Sequence, residues 1–213
     1  MKKRTEIRKM TLTAFFIAIQ IIMTITPIGY IPIGPINVTT MHIPVILAGI
    51  LIGTKYGLIV GFVFGLTSLL KNTFMPGVTS FVFSPFITVG GMSGNFLSLI
   101  ITFVPRMFLG WFSGKLFRLI RKKVGNLPAC AISAGVNTMI HTLLVMGMIY
   151  VFFGPSYAQA LGKDMSAVVA FIIGIITTNG VAETILAIIA IHLLDKALWP
   201  SIRKLKLEDT STN

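Results

Sequence analysis

Six apolar runs, separated by short joints that hold nearly all the charge, constrain this 213-residue chain more than anything else in it. They fall at about 11–28, 41–53, 57–70, 92–119, 128–153 and 166–194. Only 11% of the residues are charged and 54% are hydrophobic, whereas a soluble domain carries about 25% charged residues. In hydrocarbon the backbone must satisfy its own hydrogen bonds, which favours helices. The expected fold is an all-α integral membrane protein of six transmembrane helices, forming one domain over 1–213 in the cell membrane. The second run is short, since a bilayer core of ~30 Å takes about 20 helical residues.

The basic residues set the orientation. The N-terminal joint, the 54–56 turn, the 115–123 cluster and the C-terminal joint carry 5, 1, 5 and 4 Lys or Arg. The three opposite joints carry 0, 1 (Lys71) and 1 (Lys163). By the positive-inside rule both termini are cytoplasmic, with a basic tail at 1–10 and a second tail at 197–213. The net charge of +12 therefore addresses anionic lipid and excludes nucleic acid as a partner. The first run lacks a small-residue cleavage site and reads as a span, not a signal peptide. The single cysteine, Cys130, lies in an apolar run and reads as packing.

Ionisable side chains inside a span are costly and mark function by default. Arg106 and Glu183 sit near mid-membrane in the fourth and sixth runs. Two arrangements account for them: an ion pair that fixes helix register, or an arginine that binds an anionic ligand group while Glu183 orients it or accepts from a ligand hydroxyl. Pro105 frees a backbone carbonyl at the same level. Asn137 and His141 are four apart, as are Asn179 and Glu183, so each pair shares a helix face. The asparagines could equally glue helices together. With Asn72, Asn95 and Lys71 these groups occupy the outer half of the membrane, which describes a pocket open to the outside and not a pore.

Between the third and fourth runs, the stretch 72–86 combines Pro76-Gly77 and several hydroxyls with four phenylalanines. A solvated loop has no use for so much apolar surface. It reads as a lid over the pocket, with Thr79, Ser80, Phe81 and Phe83 facing it, or as an interfacial re-entrant loop. Gly57, Gly61 and Gly65 form a smooth stripe for close helix packing, and Ala14 and Ala18 form a smaller one. No nucleotide-binding glycine loop, metal-ligand spacing or nucleophile motif is present, so neither an enzyme nor a bound cofactor or metal is expected.

Ala14-x-x-x-Ala18, His42-Ile43-Pro44, the run Gly61-Phe62-Val63-Phe64-Gly65-Leu66-Thr67-Ser68, the run Thr79-Ser80-Phe81-Val82-Phe83-Ser84-Pro85-Phe86, Pro105-Arg106 and Asn179…Glu183 stand together in a chain of this size. In these it resembles the substrate-binding S-components of energy-coupling factor (ECF) vitamin transporters, and within them the pantothenate type. The resemblance implies a vitamin-binding subunit that docks through Ala14 and Ala18 on an energy-coupling transmembrane subunit, with two ABC-type ATPases, and that topples in the membrane to deliver its ligand. S-components for riboflavin, folate or a pyrimidine, and a structural membrane protein without ligand, are the competing readings.

Overall fold

The computed structural model describes residues 2–33 and 36–204. Gly34, Pro35, Lys206 and most of the expected C-terminal tail lie outside the described residues. The chain is an all-α membrane protein by class, its helices joined in two places by short β-hairpins. Five of its helical segments are long and apolar enough to cross a bilayer, and a sixth apolar helix is shorter.

Helix α1 (Lys2–Ile25) already begins in the basic segment that was expected to be a separate tail. A hairpin of β1 (Tyr30–Ile33) and β2 (Ile36–Thr39) follows, pairing Tyr30 with Thr39. It leads into α2 (His42–Leu51), short as its sequence indicates. Pro44 is tolerated because it lies in the first turn, where backbone N–H groups have no helical partner. All but Ile43 of α2 is buried, as suits a helix that is apolar all round.

Helix α3 (Thr54–Phe74) starts directly after Gly53, so 54–56 is its first turn and not a connecting turn. Beyond it lie a 3-10 turn (Ser80–Val82) and a two-residue hairpin of β3 (Thr88–Val89) and β4 (Met92–Ser93). The fourth run, expected to be helical from Met92, becomes helical only at α4 (Phe96–Val124). Gly125 alone separates it from α5 (Asn126–Ala160). Residues 154–160, expected in an outer loop, belong to α5, which passes through Pro155. Membrane helices accommodate such a proline because neighbouring groups satisfy the freed carbonyl. The last span is α6 (Met165–Ile175), a wide π turn (Ile176–Gly180) and α7 (Val181–Lys204).

Glycine lets α2, α3 and α4 meet backbone to backbone. A Cβ on Gly57 would fall on the carbonyl oxygen of Gly110, and one on Gly61 on that of Arg106. The stripe read from the sequence is therefore the surface of α3 that faces α4. This contact fixes the depth and rotation of Arg106. Two apolar clusters flank that level. One gathers α2 with Phe16, Phe64, Leu109 and Ala187; the other gathers Phe81 and Val82 with the C-terminal part of α5 and with α6.

Candidate functional site

A cavity of about 370 Å³ opens between α3, α4, α5 and the α6–α7 span, under the 75–80 loop. That volume lies within the range of small-molecule pockets, ~300–1,000 Å³. Its lining mixes apolar side chains such as Val145 and Ile149 with a few polar ones.

Arg106 is buried, 6% exposed. Pro105 has no N–H to give the carbonyl of Ile101, and the side chain of Arg106 takes its place: Nη1 donates to that oxygen at 2.6 Å. The guanidinium carbon lies 5.5 Å from the Phe64 ring centroid and 5.3 Å from that of Phe83, sandwiched between two π faces. Its Nε has no hydrogen-bond partner among the described residues. Among the described residues no carboxylate reaches it at salt-bridge distance.

Glu183 is held apart from it. The backbone N–H of Thr39 donates to Glu183 Oε1 at 2.6 Å. The register ion pair, one of the two arrangements the sequence allows, is thus not formed. The hairpin instead reaches inward to seize the carboxylate, just before α2 begins. The wide turn at Ile176–Gly180 carries Asn179 into the cavity with Glu183. π turns of this kind recur at functional sites. Asn179 Nδ2 and His141 Nε2 have no hydrogen-bond partner among the described residues.

Lys71 stands nearer the opening, its ammonium 4.2 Å from the Tyr30 ring centroid. Burial pushes the Tyr30 phenol above the ordinary tyrosine range, so the hydroxyl remains a donor at neutral pH.

Of the residues singled out in the sequence, Lys71, Asn72, Thr79, Ser80, Phe83, Arg106, His141, Asn179 and Glu183 line the cavity, and Asn95, Asn137 and Phe81 do not. Asn95 caps α4: its side chain accepts from Leu97 N at 2.8 Å while Ser98 Oγ accepts from Asn95 N at 3.1 Å. An asparagine three residues ahead of a serine at the start of an apolar run is a capping signal, and it explains the position. Asn137 bonds within α5 itself, its Nδ2 donating to Ser133 O at 2.7 Å. Phe81 points into the second apolar cluster, edge-on to Phe153 at 5.9 Å. Tyr30, Thr39 and Tyr157 line the cavity without having been singled out. Tyr30 and Thr39 were hidden in a hairpin whose inward path has no sequence signature, and Tyr157 behind the Gly154-Pro155 pair that imitates a turn.

The loop over the cavity is fastened at one end and loose at the other. Ser80 Oγ donates to Asn72 Oδ1 at 2.7 Å and accepts from Gly77 N at 2.9 Å. Ser98 Oγ donates to Phe81 O and Thr102 Oγ1 to Phe83 O, both at 2.8 Å. Phe74 to Val78 are exposed. Replacing Ser80 by Ala removes the tie between the loop and α3, at about 1 kcal/mol. Ligand dissociation is expected to speed up about fivefold, with the melting temperature nearly unchanged. Stopped-flow or filter-binding off-rates measure this.

Ala14 and Ala18 are both exposed on α1.

The profile of the family described as "ECF transporter, substrate-specific component" matches residues 8–194. The chain is similar to the pantothenic acid transporter PanT of Lactococcus lactis subsp. cremoris, at 31% identity over 95% of this chain and 97% of that protein. It is also similar to the pantothenate transporter PanT of Leuconostoc mesenteroides, at 26% identity over 90% of this chain and 92% of that one.

Proposed function

The chain belongs to the substrate-specific components of ECF transporters, a transport subunit and not a catalytic enzyme, and from that premise we propose that it binds pantothenate in the cavity beneath the 75–80 loop. The observation that carries the reading is the buried Arg106. It has aromatic faces on two sides and, among the described residues, no carboxylate within salt-bridge distance and no partner for Nε, and it lines a cavity of ligand size. Burying an arginine whose charge no carboxylate offsets is expensive, so an anionic ligand that completes it binds with much of that cost already met.

Pantothenate offers a carboxylate at one end, an amide in the middle and two hydroxyls at the other. In the proposed arrangement Arg106 takes the carboxylate. Asn179 Nδ2 and His141 Nε2 serve the amide and hydroxyl groups, and Glu183 accepts from a hydroxyl. Asn72 and Ser80 hold the loop closed, Phe83 covers the guanidinium, and Lys71 draws the anion to the mouth. Asn137 supports the floor beneath His141. The two relatives named for pantothenate support this choice of vitamin.

For delivery, the protein docks on an energy-coupling transmembrane subunit that works with two ABC-type ATPases, and it topples with its ligand enclosed. The exposed Ala14–Ala18 face supports docking there, since small residues admit a close helix. Six membrane crossings with both termini cytoplasmic, the cavity facing outward, complete the proposal; the charge of the joints supports it.

The test is equilibrium binding of radiolabelled pantothenate to purified protein, with unlabelled riboflavin, folate and biotin as competitors. Saturable binding that only pantothenate displaces is the expected result. Displacement by another vitamin would keep the family and replace the ligand. A well-folded protein that binds none of them would make the buried polar groups helix glue.

A further inference from the structure

We infer that the cavity is matched in charge to a ligand with a single negative charge, and that Glu183 is the residue that rejects a second one; this rests on the pantothenate reading of the site. Among the described residues, three formally charged side chains line the cavity: Lys71, Arg106 and Glu183. The other titratable groups in its wall, Tyr30, His141 and Tyr157, count as neutral at pH 7. One monoanion brings the enclosed formal charges to zero.

The two buried charges are not spent on each other. Among the described residues, Arg106 is anchored to Ile101 O and Glu183 to Thr39 N, each through one side-chain atom. The site therefore has a donor region at Arg106 and a separate acceptor region at Glu183. A ligand group at Glu183 must bring a hydrogen to give. A hydroxyl does; a phosphate ester of that hydroxyl brings negative charge against a carboxylate in a water-poor space.

Two further features make the rejection strong. The Thr39 N–H pins Oε1, so the carboxylate cannot swing aside without breaking a 2.6 Å bond. The nearest compensating charge beyond Arg106 is Lys71, whose ammonium is engaged over the Tyr30 ring nearer the opening. Like charges a few ångströms apart in a partly dehydrated site cost enough to weaken binding about 100-fold, even with an effective dielectric near ~20. A ligand with no donor at that end is disfavoured as well, because it leaves the carboxylate buried and unpaired.

The experiment measures displacement of labelled pantothenate by unlabelled pantothenate and by pantothenate phosphorylated on its terminal hydroxyl. It is run on the wild type, Glu183→Gln and Lys71→Met. Gln keeps an oxygen for the Thr39 N–H and removes the charge. The wild type is expected to prefer the unphosphorylated ligand about 100-fold. Glu183→Gln is expected to narrow that preference to within about 10-fold, and Lys71→Met to widen it, both by the same electrostatic reasoning. Equal binding of the two ligands by the wild type overturns the charge rule, as does a preference that neither variant changes. If Glu183→Gln does not fold, Lys71→Met decides alone: a wider preference supports the rule and an unchanged one overturns it. A wild type that binds no pantothenate overturns the functional reading itself, and is distinguished from failure of the charge rule by that first titration.

Discussion

Arg106→Ala weakens pantothenate binding by at least about 100-fold and leaves the fold in place. Truncating one partner of a buried charge pair costs roughly 2–5 kcal/mol, because the other charge stays buried and alone. In the complex that stranded charge is the ligand carboxylate. The unliganded protein loses little. Ile101 O is deprived of the side chain that bonds it, at about 1 kcal/mol. Against this the variant no longer buries an unpaired cation. Binding and stability should therefore separate: a large loss in the binding isotherm with a melting temperature within a few degrees of wild type. The neutral alcohol analogue of pantothenate supplies the control. It has no charge for Arg106 to meet, and its weaker affinity should change less than about fivefold in the variant. Equal losses for the acid and the alcohol would assign Arg106 a purely architectural part. Arg106→Lys retains the charge but not the planar fork between Phe64 and Phe83, and is expected to fall between the two.

Gly61→Leu has the opposite signature, loss of the protein itself. The first atom of any side chain at Gly61 lands on the Arg106 carbonyl, a backbone atom that cannot move aside alone. Relief requires α3 to leave α4, and the Gly57–Gly110 approach on the same seam goes with it. Overpacking in a close-packed interior commonly costs 1–3 kcal/mol. A backbone-to-backbone seam has no rotamer to absorb the strain, so more than about 3 kcal/mol is expected here. Gly147 on α5 has nothing within 4 Å of its would-be Cβ, and Gly147→Leu should express and melt as wild type. The comparison is made by yield and thermal unfolding in detergent. A Gly61→Leu protein that stays folded and binds ligand normally would contradict the seam.

What the sequence makes legible here is depth and face; what it leaves unread is where irregular backbone travels. The glycine stripe, the short α2 and the Pro105-Arg106 step follow from spacing and hydropathy, because a helix has a fixed rise and period. The place of Glu183 opposite a backbone amide does not, since that amide comes from a residue 144 positions away in a hairpin that the helical period says nothing about. The asparagines show the same divide. Asn179 and Glu183 share a face and both reach the cavity. Asn137 and His141 also share a face, yet Asn137 is turned into its own helix, because an amide in an apolar wall takes whichever carbonyl is closest. Asn95 lies near the membrane surface, where an amide looks like a ligand group, but the helix start beside it takes it as a cap.

The distribution of slack along the chain has a consequence for transport. At one end of the bundle Gly125 is the whole connection between α4 and α5, and α2 passes into α3 through Ile52 and Gly53. The hairpins, the 75–80 loop and the link from α5 to α6 are all at the other end, where the cavity opens. With its base joined this tightly and its slack gathered at the mouth, cargo taken in at the mouth is expected, in the proposed role, to leave by the mouth. In the proposed role the mouth must then change sides with the whole body, and the resistance it meets is that of the surrounding lipid. Turnover should accordingly follow the viscosity and thickness of the bilayer, while ligand affinity measured in detergent stays indifferent to both.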